Sequence, residues 1–284
     1  MQRSEYHNKI IEYYNHTENA YRDTWDLDKS LSIHYGYQDK SARSFRASLQ
    51  RMNEVMKEAA AIQPGDKVLD AGCGVGGSSI FIASSTGARV TGITLSERQA
   101  EQAKKNAKGK AVEMLVNFQV MNFSRTTFPD QHFDVIWACE SSCYADDKQD
   151  FIREASRLLR PGGRLVVADG FVTKPENNRT SLVRQWLDGW QVNYLETMER
   201  FAGFMREAGF TAIETRDISS HTFASARRLY RYYFLAKIYQ AWIKLRYGKE
   251  FTDFQKNNTN ACRYQYLALK QRLWHYGLVT GKKV

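Results

Sequence analysis

Cysteine is scarce and scattered: Cys73, Cys139, Cys143 and Cys262 are all that 284 residues contain. They are too few and too irregular for a disulfide frame, and they lack a partner at zinc-ligand spacing. The six histidines are dispersed as well, and adjacent carboxylates such as Asp146-Asp147 read as solvated, so no metal is expected. No run of about twenty apolar residues exists, which excludes a membrane-spanning helix. The first ten residues are polar and lack the apolar core of a secretory leader. A reduced, cytoplasmic protein is the expectation. Acidic charge is thin at one end: residues 221–284 hold 13 Lys and Arg against 2 Asp and Glu, and also 14 aromatics. The first 220 residues are close to neutral, so the terminal region is the part that asks for an anionic or interfacial partner. With 43% hydrophobic residues the chain can bury a core, as one generous domain or a core with a cap.

What the chain does have is glycine in one place. Residues 68–77 read Val-Leu-Asp-Ala-Gly-Cys-Gly-Val-Gly-Gly, with Gly72, Gly74, Gly76 and Gly77 directly after Asp70. A turn (Pro64-Gly65-Asp66) and a short strand precede this loop, and a small-residue helical run follows it. Strand, glycine loop and helix in that order make a nucleotide-binding site, because bare backbone can approach a ligand where a Cβ would collide.

From residue 66 strands and helices alternate. Strands are expected at 67–70, 89–93, 116–121, 133–138 and 164–169, with helices at 76–85, 96–108 and 148–159 between them. This rhythm implies a doubly wound, mostly parallel sheet with helices on both faces and right-handed crossovers. Helices are expected before it, at 5–25 and 41–61. Beyond it the pattern gives helices at 179–192 and 193–208, a strand at 210–217, helices at 224–247 and 258–273, and a last strand at 274–283. The organisation expected is an N-terminal helical lid (1–60), a nucleotide-binding core (61–170), a helical cap (171–209) and final strands with a basic, aromatic helical insertion (210–284).

These motifs together resemble the class I S-adenosylmethionine-dependent methyltransferases. Leu159-Arg160-Pro161-Gly162-Gly163-Arg164-Leu165 matches their turn before strand five, about ninety residues after the glycine loop. Within the class the chain is similar to the small-molecule group of sterol, tocopherol and prenyl C-methyltransferases and cyclopropane-forming lipid enzymes. Tyr13-Tyr14-Asn15, His34-Tyr35-Gly36-Tyr37, Gly92-Ile93-Thr94-Leu95-Ser96 with Gln99, and Glu140-Ser141-Ser142-Cys143-Tyr144 carry that likeness. The resemblance implies a Rossmann-like seven-stranded sheet and S-adenosyl-L-methionine as cofactor. It implies donor contacts from Tyr14, Tyr35, Asp70, Gly72, Gly74, Gly76, Thr94, Leu95, Gln99, Asn122 and Phe123. Three departures stand out: Thr94 replaces the acidic residue that usually holds the ribose, Asn122 stands beside Phe123 where an Asp is common at the adenine, and Tyr144 replaces a frequent histidine.

Methyl transfer is an in-line displacement, so donor and acceptor must be held at attack distance with water excluded. Methylating an alkene carbon leaves a cation on the acceptor, which needs aromatic faces or a carboxylate and a base for the departing proton. Glu140 at the end of strand four is the first candidate, with Tyr144 and His34 after it; Glu140 reads equally well as a helix N-terminal carboxylate. Trp186 and Trp190 would wall the acceptor, or simply pack the core. Arg227, Arg228 and Arg231 have the spacing a diphosphate would use. The helix carrying them also reads as a solvated basic face or as a peripheral membrane surface.

The expected function is methyl transfer to carbon of a small lipophilic acceptor, such as an isoprenoid, a prenyl diphosphate or a sterol- or tocopherol-like molecule. Methylation of oxygen or nitrogen on a small aromatic or amine natural product is the alternative. Nucleic acid is not the expected partner, since basic residues are interleaved at core-like spacing and no Asn-Pro-Pro-Tyr or Asp-Pro-Pro-Tyr motif occurs.

Overall fold

The computed structural model describes residues 4–284, with backbone alone at residues 18–20 and 23. Helix α1 (Glu5–Trp25) opens on a reciprocal cap in which the Ser4 hydroxyl accepts from the His7 N–H and the His7 ring accepts from the Ser4 N–H. A single turn, α2 (Leu27–Ser30), leads to α3 (Phe45–Ala59), which Ser44 caps. The alternating core follows as β1 (Lys67–Ala71), α4 (Gly77–Thr86), β2 (Arg89–Thr94), α5 (Glu97–Gly109), β3 (Val116–Val120), β4 (Phe133–Cys139), α6 (Lys148–Leu158) and β5 (Leu159–Val172). After it come α7 (Ser181–Gly189), α8 (Met198–Glu207), β6 (Phe210–Asp217), α9 (Ser219–Tyr247), α10 (Asp253–Lys270) and β7 (Trp274–Lys283).

The seven strands form one sheet in the order β3-β2-β1-β4-β5-β7-β6. β3, β2, β1, β4 and β5 are parallel neighbours, and β7 runs antiparallel between β5 and β6. This is the Rossmann-like, doubly wound arrangement that the alternation implied. Burial explains the strand composition. The central strands are covered on both faces and so read as nearly continuous apolar runs, as in Phe133–Cys139. Successive residues feed opposite layers: Val68, Val135 and Val166 join a core with α1, α3 and α10, whereas Leu69, Ile136 and Leu165 join one with Phe151 of α6 and Phe201 of α8. β6 lies at the edge and is mostly exposed, and its polar residues Thr211, Glu214, Thr215 and Arg216 suit that place.

Most boundaries fall close to those expected from sequence; the differences have local causes. β5 reaches from 159 to 172 rather than 164 to 169, because Leu159 already pairs with Phe133 of β4 and β7 pairs with the strand as far as Val172. α10 starts at Asp253, not 258, since Thr252 and Gln255 close a capping box there. The helix expected over 193–208 is confined to Met198–Glu207 by the Thr197 cap. α9 begins at Ser219, five residues before the start expected at 224.

Phe171 of β5 is 2% exposed and meets the Phe201 ring edge-on at 5.5 Å. Phe171→Ala is expected to cost about 3–5 kcal/mol through lost burial and the cavity left behind. Urea unfolding followed by circular dichroism reads this; a loss below about 1 kcal/mol would show that the two layers do not meet there as described.

Candidate active site

The β1–α4 loop, α1 and the segment after β4 enclose a cleft of about 890 Å³ at the carboxyl end of the sheet. Gly72, Gly74 and Gly76 all have positive φ, at 100°, 51° and 89°, so the loop's path needs glycine. Their missing side chains serve different purposes. A Cβ on Gly72 would strike Ser141 at 2.3 Å, and one on Gly76 would press on Phe118 and Ala103. A Cβ on Gly74 would meet nothing within 4 Å, although Gly74 lines the cleft. Gly74 is therefore bare toward the space a ligand would fill, while Gly72 and Gly76 are bare for packing; Gly76 itself is not in the cleft wall. Gly77 packs tightly too, since its Cβ would lie 2.0 Å from the Leu31 carbonyl oxygen.

Asp70 ends β1 under the cleft, 2% exposed, and accepts from the Ser79 hydroxyl at 2.6 Å. Burial raises its pKa to about 6, with the Ser79 hydrogen bonds opposing the shift. Gly77 and Ser78, the first residues of α4, line the same wall. The start of α4 has no side-chain cap, so its N–H groups and helix dipole suit a carboxylate there. At the end of β2, the Thr94 hydroxyl donates to the Gln99 amide oxygen at 2.7 Å, and Ser96 caps α5 by accepting from the Gln99 N–H. Thr94, Leu95, Ser96, Gln99 and Phe123 all border the cleft. Asn122 does not: its side-chain oxygen accepts from the Ser124 N–H and holds the turn after β3.

A second chamber of about 620 Å³ adjoins the cleft, and Tyr14, Ile33, Glu140 and Tyr144 border both spaces. Its wall is aromatic: Tyr21 and Trp25 from α1, Tyr35, Trp186 and Trp190 from α7 and its end, and Trp274 and Tyr276 from β7. Trp186 lies between Trp190 and Trp274, with ring centroids at 5.7 and 4.5 Å. Two carboxyl groups, Glu140 and Asp169, line the chamber and no Lys or Arg does so among the described residues. Asp169 is fully engaged, accepting from the Ser142 hydroxyl and the Cys143 and Gly170 N–H groups.

Glu140 sits at the junction with φ of 49°, a left-handed conformation that is uncommon for a residue with a side chain. Its Oε1 accepts from the Tyr35 N–H and from the Tyr276 hydroxyl, the latter at 2.7 Å. Burial nevertheless pushes its pKa up to about 8, the two hydrogen bonds opposing. Tyr144 donates to the Trp190 carbonyl at 3.0 Å. His34 is 4% exposed and borders the cleft rather than the chamber. Its Nδ1–H donates to the Tyr35 carbonyl at 3.0 Å, and its Nε2 is buried without a protein partner. Burial lowers its pKa, so the ring is neutral at pH 7.

Tyr35 lines the chamber and not the donor cleft. The three arginines line neither space. Arg227 and Arg231 are exposed, and Arg228 bonds the Thr24 carbonyl and the Tyr232 hydroxyl while its guanidinium stacks 3.9 Å over Phe45. Sequence reasoning missed Asp169, Trp274 and Tyr276, which come from strand ends far along the chain. It also missed Lys148, 2% exposed, whose ammonium donates to the Cys143 and Ala145 carbonyls at 2.8 Å and fixes the turn after Glu140.

Fold and site together define a nucleotide-cradling transferase, and comparison with known proteins gives the class. Residues 69–167 match the family described as "Methyltransferase domain". The chain is 32% identical over 204 residues to the 27-O-demethylrifamycin SV methyltransferase of Amycolatopsis mediterranei (strain S699), covering 72% of this chain and 75% of that one. It belongs to the class I S-adenosylmethionine-dependent methyltransferases, and S-adenosylmethionine is its cofactor. Two solved structures share the fold across the chain. The [4+2]-cyclase SpnF superposes with a TM-score of 0.80 at 23% identity, covering 98% of this chain and 96% of that one. Geranyl diphosphate C-methyltransferase from Streptomyces coelicolor A3(2), bound to Mg2+, geranyl diphosphate and S-adenosyl-L-homocysteine, gives 0.74 at 22% identity over 99% and 98%.

The distinct glycine roles are separable by mutation. Gly74→Leu is expected to abolish binding of S-adenosylhomocysteine in calorimetry while lowering stability by only about 1–2 kcal/mol, the strain of a side chain at positive φ. Gly77→Val should instead unfold the start of α4. Retained affinity in Gly74→Leu would remove this loop from the donor site.

Proposed function

We propose that the chain methylates a carbon atom of a small, neutral, largely apolar acceptor held in the aromatic chamber. The observation that carries this reading is the place of Glu140: a carboxyl on the wall shared by cleft and chamber, surrounded by aromatic rings. S-adenosylmethionine supplies the methyl group from an activated sulfonium. The protein's part is to orient the acceptor and accept its proton. Bond formation to one carbon of an acceptor double bond leaves positive charge on the neighbouring carbon, and the faces of Tyr14, Tyr144 and Trp190 with the Glu140 carboxylate would stabilise it. The proton leaving that carbon passes to Glu140, and the C–S bond electrons stay with sulfur. Gly74, Asp70 and the start of α4 would hold the methionine end, with Thr94, Gln99 and Phe123 toward the nucleoside.

The lack of Lys and Arg in the chamber wall favours a neutral isoprenoid or quinol-like acceptor over a prenyl diphosphate. The indole N–H groups of Trp186 and Trp190 are buried without a protein partner, and an oxygen on the acceptor would satisfy one. Methylation of oxygen is the second reading, favoured by the likeness to the 27-O-demethylrifamycin SV methyltransferase of Amycolatopsis. Glu140 would then take the hydroxyl proton instead.

Locating a labelled methyl group on carbon or oxygen of the product separates the two readings. Both require Glu140 as base, so Glu140→Gln should keep donor affinity and lose about 10²–10⁴ in turnover. Unchanged turnover would remove Glu140 from the chemistry. The active form is the carboxylate, and burial places its titration near 8. kcat/KM should therefore rise with pH through about 8 and level off above it. Cationic donor bound nearby favours the carboxylate, so the corresponding limb in kcat should lie lower. A profile without a limb attributable to Glu140 would contradict this assignment.

A further inference from the structure

The outer face of α9 is apolar where a surface helix should be polar. At 100° per residue, Phe234, Leu235, Ile238, Tyr239, Trp242 and Leu245 fall within a single broad arc. All six are exposed, Leu245 at 88% and Ile238 at 68%. The opposite side, with Leu229, Tyr233 and Ala236, packs onto the body, so the helix is apolar on two sides. α9 contains no Asp or Glu. Arg227 and Arg231 lie on the apolar face toward the helix start, Arg246 lies at its other end, and Lys237 and Lys244 flank it. The acids that follow the helix, Glu250 and Asp253, are engaged by Lys244 and Lys256.

We propose that this face of α9 docks on an anionic phospholipid surface. Charge decides between occupants. A second copy of the same face would set Arg and Lys against Arg and Lys, with only 2 acidic residues among the 64 that form this end of the chain. A nucleic acid would leave Leu235, Ile238 and Leu245 against water or phosphate. Lipid headgroups neutralise the cations, and the aliphatic and aromatic side chains enter the acyl boundary. The interior behind the helix fits this use. A cavity of about 460 Å³ lies beneath α9, lined by Leu229, Tyr232, Tyr233 and Ala236. Tyr21, Trp25 and Trp190 form walls of both this cavity and the acceptor chamber. A lipophilic acceptor drawn from the bilayer would thus arrive on the side of the molecule where these rings back the chamber.

The test is co-sedimentation of the full chain with vesicles of phosphatidylcholine containing one third phosphatidylglycerol, against vesicles of phosphatidylcholine alone. Binding should be at least about tenfold stronger to the anionic vesicles and weaken with salt. The triple variant Ile238→Ser/Trp242→Ser/Leu245→Ser and, separately, Lys237→Gln/Arg246→Gln should each lose most of that binding. Calorimetry with S-adenosylhomocysteine should be unchanged in both, which shows that they fold. Wild-type chain that stays in the supernatant, or a triple variant that pellets like wild type, overturns the proposal. So does a dimer in sedimentation velocity that the triple variant dissolves without any vesicle binding, because it assigns the face to a second copy. Vesicle binding is read without acceptor, so its failure leaves the methyl-transfer reading standing.

Discussion

One carboxyl group joins three distant parts of the chain. Glu140 follows the fourth strand, its Oε1 receives the backbone N–H of Tyr35 from the segment before α3, and the same oxygen receives the hydroxyl of Tyr276 from the last strand. The glutamate backbone is itself anchored where its N–H meets the Ala168 carbonyl of β5. These bonds hold Glu140 on the wall shared by the cleft and the chamber, so that wall is built around a carboxyl group. Burial makes the carboxyl a stronger base than it would be in water, and the two donors oppose that shift.

The surroundings divide the work by polarity. The donor side offers bare backbone, a helix start and small polar side chains, which suit a charged, hydrogen-bonding cofactor. In the second chamber rings and aliphatic side chains make up most of the wall, with Asp169 spent on holding the 142–143 turn. Lys148 supports that turn from beneath through two carbonyls, and burial lowers its pKa to about 8, so its charge is held at some cost. Such an arrangement favours an acceptor that brings little charge of its own and tolerates charge appearing only during reaction.

Much of this was legible before the structure was seen, for a physical reason. The strands of a parallel sheet are buried on both faces, so β1, β2, β4 and the latter half of β5 announce themselves as apolar runs, and the glycine loop follows β1 directly. Gly74, Thr94 and Glu140 were nameable because each stands at or just past the carboxyl end of a strand, where such sheets gather ligands, and Gln99 because it opens the helix that follows Thr94. The aromatic chamber was legible only in part. Trp186 and Trp190 were identified by type and spacing, whereas Trp274 and Tyr276 reach the site through the antiparallel insertion of β7 between β5 and β6. No local pattern encodes that pairing. α9 was harder to place for a related reason: with apolar residues on both faces, periodicity cannot say which face is buried. The arginine cluster had suitable spacing for a diphosphate, but Arg228 stacks on Phe45 and ties α9 to the end of α1 instead.

The central claim is that donor and acceptor meet at the Glu140 wall, and a crystal structure with bound S-adenosylhomocysteine tests it most directly. The account predicts adenosyl density beside Phe123 and Thr94, the amino-acid end against Gly74, and the sulfur facing the opening bordered by Tyr14, Glu140 and Tyr144. Density with the sulfur turned away from that opening, or the ligand lodged outside the glycine cradle, would contradict it.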